Sequence, residues 1–416
     1  MNTRRIGLTI GSAIAAWGLA ASVALATEIS FWTWRQEDKA AYTEIFSDFT
    51  KLNPDITVKF ESFPDENYPT IVSTALAAGR GGDVIHTHAY GWLEQFAKAG
   101  YFVPLDRASV PSIDNMPADA LVAGTYRADG RLYSLPFASQ TLGLFINKDV
   151  FAKAGLTPPK TWDEFLAVGK ALKDKGIIPL ANGLGTSWFN EMFVAIFTNP
   201  FLGPDFVGDL TSGKTTFKDP RYVAALGKLL ELRDDMPTGY EGVDYDTAGQ
   251  LFLTGRAAML AGGSFDISTY RSEDPGIDMA FVAPPAPKAG APAYVTKFYD
   301  GGYAVNAASP NREAALKLVN YMGTKAFGDK LSALLGDISP IKGVEIKDPM
   351  LAEVAALNRT AMPHINVVYF RFQKPTGSEL LQGDITRMMA GAITPDQLAA
   401  DLTAGIAKWY APFQGK

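Results

Sequence analysis

The stretch GRLYSLPFASQTLGLFIN, residues 130–147, is long, mostly apolar and extended in character. Pro136 interrupts it, and a proline has no amide hydrogen to donate to a neighbouring central strand. The stretch is therefore not expected to lie wholly inside one central sheet. A second extended stretch, KFYDGGYAVNAAS, occupies residues 297–309. Together they favour two α/β lobes that are joined by extended strands crossing from one lobe to the other.

The residues before the first extended stretch alternate between strand and helix patterns. Strands are predicted at 28–34, 56–62 and 81–88, and helices at 38–52 and 67–78. A β-α-β-α-β order predicts a parallel sheet with helices on both faces. A second alternation of helices and short strands follows the extended stretch. The expected fold class is therefore α/β, with each lobe a sheet flanked by helices.

The first 26 residues have the pattern of an export signal. Arg4 and Arg5 form a charged start, an apolar run follows, and Ala24-Leu25-Ala26 supplies a small-x-small cleavage site. Several Gly, Ser and Thr residues dilute the apolar run, which disfavours a transmembrane anchor. The general secretory route and the twin-arginine route both stay open.

The composition limits the partners of the exported chain. It contains no cysteine, so it has neither a disulfide framework nor a cysteine at the cleavage site to carry a lipid. An exported chain without a lipid is expected to be freely soluble in the periplasm of a bacterium with two membranes. The formal net charge of −6 argues against nucleic acid or an anionic membrane as the main partner.

One motif that suggests nucleotide binding lacks the context that such a site needs. GDLTSGKT, residues 208–215, matches the spacing of a phosphate loop. A phosphate loop follows a strand and begins a helix at its lysine, whereas prolines precede this segment and no helix pattern starts at Lys214. A surface turn is therefore the preferred interpretation. No motif of a nucleophilic or zinc hydrolase is present, so neither enzyme activity nor a cofactor is expected.

Two histidines share one face of the third strand. His86 and His88 lie two positions apart, but only one further histidine, His364, exists in a chain without cysteine, which disfavours a metal site. Open α/β sheets bind ligands at the carboxyl ends of their strands. His88 is therefore open to two roles, a ligand contact or a structural hydrogen bond, while His86 is expected to be structural.

Aromatic residues beside polar ones at strand ends indicate a carbohydrate ligand. Trp32 and Trp34 lie two positions apart and therefore share one face of the first strand. Trp188 lies in a Gly- and Ser-rich loop, and Phe265 precedes Asp266 in a similar setting. Aromatic rings cover the apolar C–H face of a sugar, while acids and amides bind its hydroxyl groups.

The segment GRLYSLPFASQTLGLFINKDVFAKAGLTPPKTWDEF, residues 130–165, resembles the region leading into the second lobe of family 1 extracellular solute-binding proteins. EISFWTW, ALAAGRGGDV (75–84), GRAAMLAGGSFD (255–266) and VNAASPNREAALKLVNYM (305–322) are similar to other landmarks of this family, in the same order. The resemblance spans essentially the whole chain after the signal. It implies a sugar receptor of an ATP-driven importer, typified by maltose- and glucose-binding proteins.

The resemblance implies a two-lobed periplasmic binding protein fold with type II-like topology, whose lobes close on the ligand. Hinges are expected near 138–145, 298–303 and 338–343, with little contact between the lobes when no ligand is bound. The implied division of the chain is a signal peptide at 1–26, a first lobe at 27–142 and 301–340, and a second lobe at 143–300 and 341–416.

The resemblance also places ligand residues at the facing strand ends of both lobes. Gln140 stands where maltose receptors have an acid, which implies a different pattern of ligand hydroxyls, and Phe265 stands where tryptophan is common. Trp32 is expected in the core, and Trp34 is expected to face the cleft. The ten residues implied at the ligand are Trp34, Glu37, His88, Tyr90, Gln140, Trp188, Phe265, Asp266, Asp300 and Arg371.

The function implied is capture of a mono- or short oligosaccharide and its delivery to the membrane permease subunits of an ABC importer. The receptor is expected to be a monomer that is not embedded in the membrane and holds no metal. One alternative is a receptor for a sugar alcohol or a sugar phosphate. A phosphate would need several basic groups in the cleft, for which Arg35 and Arg371 are the candidates. A secreted glycosidase is the alternative from another class.

Overall fold

A computed structural model describes Met1 and residues 26–416. The predicted signal peptide lies outside the described residues, apart from Met1 and Ala26. The strands are β1 Thr27–Thr33, β2 Ile56–Ser62, β3 Val84–Thr87, β4 Thr125–Tyr126, β5 Arg131–Leu132, β6 Leu135–Pro136, β7 Ser139–Asn147, β8 Ile178–Leu180, β9 Ala257–Gly263, β10 Met279–Val282, β11 Thr296–Tyr299, β12 Gly302–Val305 and β13 Met362–Pro363.

Helices cover both faces of the two main sheets. They are α1 Lys39–Leu52, α2 Tyr68–Ala77, α3 Gly91–Lys98, α4 Ala118–Ala123, α5 Lys148–Ala154, α6 Trp162–Lys173, α7 Ser187–Leu202, α8 Phe206–Thr211, α9 Pro220–Leu230, α10 Tyr245–Leu253, α11 Ile267–Glu273, α12 Arg312–Tyr321, α13 Lys325–Lys330, α14 Pro349–Leu357, α15 Ile365–Tyr369, α16 Gly377–Met389 and α17 Pro395–Ala407. Within residues 26–416, no helix combines the length and the apolar character needed to cross a bilayer.

The first lobe is built on a five-stranded sheet with the strand order β2-β1-β3-β12-β6. β1 pairs in parallel with both β2 and β3, which confirms the parallel arrangement expected from the β-α-β-α-β pattern. β12 returns from the far end of the chain and pairs antiparallel with β3 and β6. Ile29, Phe31 and Thr33 of β1 are fully buried, as alternation along a strand with one packed face requires.

The second lobe is built on a six-stranded sheet, in which β13, β11, β7, β9 and β8 follow one another and β10 also pairs with β7. β7 pairs antiparallel with β9, β10 and β11, so it lies at the centre of the sheet. All nine residues of β7 are buried, because helices cover both faces of this sheet. The continuous apolar run at the end of 130–147 therefore reflects a strand buried on both sides.

Pro136 marks the change from one sheet to the other. It ends β6 in the first sheet, and Ser139 begins β7 in the second sheet three residues later. Ser139 to Leu142 pair with β11, so the second sheet begins ahead of the boundary predicted after residue 142. The second crossing lies between Tyr299 and Gly302, where β11 ends and β12 begins, close to the expected position.

The segment GDLTSGKT does not form a phosphate loop. α8 leads into it instead of a strand, and the Lys214 ammonium pairs with the Asp209 carboxylate at 2.8 Å. Gly213 adopts φ +72 and packs against Pro412 from the end of the chain. A glycine is required there because the left-handed backbone and the close approach both exclude a side chain. This geometry agrees with the interpretation of a surface turn.

Candidate functional site

Trp34 and His88 form an aromatic surface at the carboxyl ends of β1 and β3. Their ring centroids lie 4.1 Å apart, and the Trp34 ring also stacks on His86 at 4.1 Å. His86 is fully buried, with its Nδ1 3.0 Å from the Thr33 hydroxyl, which is a structural position. Trp34 and His88 are each half-buried. The structure therefore brings these two predicted ligand residues into direct contact.

Trp32 does not occupy the core, contrary to the expectation. It is half-buried, its Nε1 donates a hydrogen bond to Glu61 at 2.7 Å, and its ring packs on the edge of Phe63. Phe31, from the opposite face of β1, is fully buried against Tyr42 of α1. Alternation correctly placed the two tryptophans on one face of β1. Helix α1 covers the opposite face, so Phe31 and not Trp32 is buried against that helix.

Gln140 belongs to a buried polar network at the crossings. Its amide nitrogen donates to Asp337 at 2.8 Å, and its amide oxygen accepts from the Ser264 hydroxyl at 2.8 Å. Asp337 lies 3.2 Å from the guanidinium of Arg35, which also pairs with Asp38. Gln140 is fully buried. Both of its amide atoms are therefore used within the protein, and the structure does not present them to a ligand.

Two acids from different elements, the half-buried Asp300 and the buried Asp266, are both influenced by the charge of Arg35. Asp300 follows β11, and its carboxylate accepts no hydrogen bond from the described residues. Burial raises the pKa of Asp300 to about 7, although the charges of Arg35 and Arg371 oppose this shift. Burial likewise raises the pKa of Asp266 to about 7, against hydrogen bonds from Tyr245 and Gly263 and the charge of Arg35. Both carboxyl groups therefore change charge near neutral pH.

An aromatic wall in the second lobe surrounds Asp266. Trp188, in the first turn of α7, has its ring centroid 5.0 Å from that of Tyr245 and 6.4 Å from that of Phe265. The Tyr245 hydroxyl donates to the Asp266 carboxylate. Trp188 and Phe265 are half-buried, so each keeps part of its ring accessible. Tyr245 is a member of this wall that the sequence reading missed, because it lies in a helix with no aromatic pattern.

Arg371 is fixed by two polar side chains of the second lobe. Its Nε donates to the Ser378 hydroxyl at 2.6 Å, and its Nη2 pairs with the Glu191 carboxylate. Its charge also acts on His88, which belongs to the first lobe. Burial, and to a smaller extent the Arg371 charge, lower the pKa of His88 to about 3, so the imidazole is neutral at pH 7. Arg371, from the C-terminal part of the chain, therefore acts electrostatically on another of the predicted ligand residues.

The two lobes touch each other beside this site. The hydroxyl oxygen of Tyr90 accepts the backbone N–H of Tyr299 at 3.2 Å, and the Tyr299 hydroxyl donates to Asp119 at 2.7 Å. The Arg127 guanidinium lies 3.0 Å from the centre of the Phe372 ring. Tyr90 adopts φ +58, a strained conformation for a residue with a side chain, which often occurs at functional sites. Tyr90 is therefore placed between the lobes.

Glu37, another of the predicted ligand residues, is largely exposed to solvent. Its side chain is 56% exposed, and its Oε1 lies 3.7 Å from the Arg35 guanidinium. At one place Trp34 contacts His88 and lies beside Gly301, next to Asp300, and the charge of Arg371 acts on both His88 and Asp300. At another, the Trp188 ring lies beside that of Phe265, the residue before Asp266. Arg35 acts electrostatically on both Asp300 and Asp266, which relates the two groups. Within residues 26–416, no cluster of His, Asp and Glu suits a metal ion.

Comparisons with known proteins agree with this architecture. The profile of a family described as bacterial extracellular solute-binding protein matches residues 33–328. The chain is 26% identical over 328 residues to the multiple sugar-binding protein of Streptococcus mutans, covering 76% of each chain. It is 28% identical over 314 residues to the maltotriose-binding protein of Pyrococcus abyssi, covering 74% of this chain and 65% of that one.

A solved structure shares the fold over nearly the whole chain. The bacterial solute receptor AcbH, described as having an exclusive substrate preference for β-D-galactopyranose, superposes with a TM-score of 0.80 at 20% identity. The match covers 93% of this chain and 99% of that protein. At this identity the likeness establishes the two-lobed fold alone.

Proposed function

Since this chain belongs to the family of bacterial extracellular solute-binding proteins, we propose that it is the carbohydrate-binding component of an ABC importer. The observation that carries the proposal is the pairing of aromatic faces with acidic groups in both lobes. The Trp34 ring, which contacts His88, lies beside Gly301, the residue after Asp300. The Trp188 ring packs against Tyr245, whose hydroxyl donates to the Asp266 carboxylate. Rings cover the C–H faces of a sugar while carboxylates accept its hydroxyl groups. The names of the two sequence relatives support a sugar ligand.

The mechanism is closure of two lobes on the ligand. The lobes are joined by extended crossings, of which the first two lie at Ala138 and between Tyr299 and Gly302. A ligand that contacts both aromatic surfaces binds the closed form more strongly than the open form and so shifts the equilibrium towards closure. The closed monomer then delivers its mono- or short oligosaccharide to the permease subunits in the membrane.

A screen of uncharged sugars tests this function. Maltotriose, raffinose, galactose and xylo-oligosaccharides are each added at about a hundred times the expected Kd, and the melting temperature of the protein is recorded. A ligand at that excess stabilises the native state by about 2.7 kcal/mol, so at least one sugar should raise Tm by several degrees. The recovered sugar should be chemically intact. Cleavage products would favour the glycosidase alternative, and no shift with any carbohydrate would contradict the proposal.

Localisation in the periplasm is part of the same proposal. The A-x-A site predicts cleavage after Ala26, and β1 begins at Thr27, so cleavage there leaves the first strand complete. The mature chain is expected to start at Thr27 and to carry no lipid. Intact-mass measurement on protein released from the periplasm checks this. A mass that retains residues 1–26 or includes an acyl chain would show that the processing is different.

A further inference from the structure

Both arginines that act on Asp300 are already paired with buried carboxylates of the protein. Arg35 contacts Asp38 and Asp337, of which the Asp337 side chain is fully buried. Arg371 contacts Glu191, whose side chain is also fully buried. An anionic ligand needs cationic groups whose charge is still available. The cleft therefore holds two arginines but offers little net positive charge.

Glu191 lies in a deeply buried helix of the second lobe. It lies on α7, which is buried along nearly its whole length and packs against α9 and α16. Its Oε1 accepts from Arg371 and, at 3.1 Å, from Gln382. Burial alone would raise the pKa of Glu191, but the charge of Arg371, together with hydrogen bonds from Ser378 and Arg371, helps to hold the pKa below its ordinary value. Glu191 is therefore ionised at neutral pH.

His364, which lies close to Glu191, does not help to balance the Glu191 charge. His364 is buried, and burial lowers its pKa to about 4 in spite of Glu191, so the ring is neutral at pH 7. The charge of Glu191 is thus balanced by Arg371 alone. In return, Glu191 and Ser378 hold the guanidinium in one orientation, with 29% of the arginine side chain exposed.

We propose that Glu191 is a specificity-determining residue that makes the cleft reject anionic ligands in favour of uncharged sugars. It acts through Arg371, whose charge it cancels while it leaves the remaining guanidinium N–H groups free to donate to hydroxyls. This inference rests on the proposed sugar-binding function and narrows it, since it argues against the sugar-phosphate alternative.

The test compares Glu191→Gln with wild type, using ligands that differ by one anionic group. Galactose is paired with galacturonate, glucose with glucose 6-phosphate, and inorganic phosphate serves as the minimal anion. The glutamine keeps the shape of the side chain but leaves the Arg371 charge uncancelled. We expect the ratio of anion affinity to neutral-sugar affinity to rise about tenfold or more, and phosphate binding to become measurable by calorimetry.

Two control variants separate this effect from a change in folding. Asp384→Asn removes a carboxylate from another arginine pair of the second lobe, with Arg387 on α16, and should leave the selectivity ratio unchanged. Glu191→Gln/Arg371→Gln removes both charges and should return the ratio to the wild-type value. Melting curves of all variants establish that each is folded.

The outcomes distinguish the two proposals. If no uncharged sugar binds wild type, the proposed function fails, and the phosphate comparison still tests the role of Glu191. If Glu191→Gln has the same preference and the same phosphate affinity as wild type, the specificity role of Glu191 is wrong. Tighter binding of glucose 6-phosphate than of glucose by the wild-type protein would also contradict the specificity role of Glu191. A carboxyl ¹³C titration that finds Glu191 protonated at pH 7 would have the same consequence.

Discussion

Replacing Gly91 with alanine is expected to hold the two lobes apart and to lower ligand affinity about a hundredfold. A Cβ atom at position 91 would lie 2.2 Å from the carbonyl oxygen of Arg371 and 2.8 Å from the backbone nitrogen of Phe372. These are backbone atoms of the other lobe, so no side-chain rotation relieves the clash. If the closed form falls to about 1% of the population, the apparent affinity falls by the same factor.

The first lobe itself should tolerate the Gly91→Ala change. Position 91 is the first residue of α3, and alanine is a better helix former than glycine. The melting temperature is therefore expected to stay the same or rise slightly. Gly227→Ala is the matched control, because Gly227 lies inside α9 and an added Cβ meets no atom within 4 Å. That variant should keep wild-type affinity.

Small-angle scattering with and without a saturating sugar measures the closure directly. Wild type and Gly227→Ala should become more compact when the sugar binds, whereas Gly91→Ala should not. If Gly91→Ala instead matches wild type in both sugar affinity and compaction, sugar binding does not require the lobes to approach this closely.

Replacing Trp188 or Trp34 with alanine should weaken sugar binding by about thirty- to a thousandfold. Each residue offers a half-buried indole, one from the second lobe beside Tyr245 and one from the first lobe beside His88. Aromatic residues that cover a large apolar area at the centre of a binding site carry a disproportionate share of the binding free energy. Folding should suffer less, since part of each ring is accessible to solvent.

Trp32→Ala is the internal control for this prediction. Trp32 lies on the same face of β1 as Trp34, but its ring packs on Phe63 and its Nε1–H bonds Glu61 within the first lobe. The variant should lose stability and keep its affinity. Calorimetric titration is measured beside melting curves for all three variants. Selective loss of binding in Trp32→Ala, with Trp34→Ala merely destabilised, would reverse the roles of the two tryptophans.

The order of the elements and the existence of two lobes could be predicted from local pattern. Alternation in EISFWTW identified β1, the strand-helix order identified the parallel part of the first sheet, and Pro136 identified the place where the chain leaves it. These features depend on residues only a few positions apart. Backbone geometry acts at that range, so the sequence determines them without knowledge of the rest of the fold.

The roles of individual polar residues depended on partners that are distant in the chain. Gln140 carried the right chemistry for a ligand contact, yet Asp337 and Ser264 occupy both of its amide atoms. Glu191 lies in a largely apolar helix and carries no sequence signal of its own, yet its carboxylate pairs with the Arg371 guanidinium. No local pattern reveals such pairs, because they form only when separate helices and crossings pack together.

The sequence by itself therefore determined the fold class and the two lobes, and it predicted the aromatic and acidic character of the candidate ligand site. Only the tertiary structure decided which face of β1 is core, where Phe31 and not Trp32 is fully buried. It also decided that Gly91 of one lobe touches the backbone at Arg371 of the other. Periodicity states which residues share a face, whereas burial and charge pairing depend on what packs against that face from elsewhere in the chain.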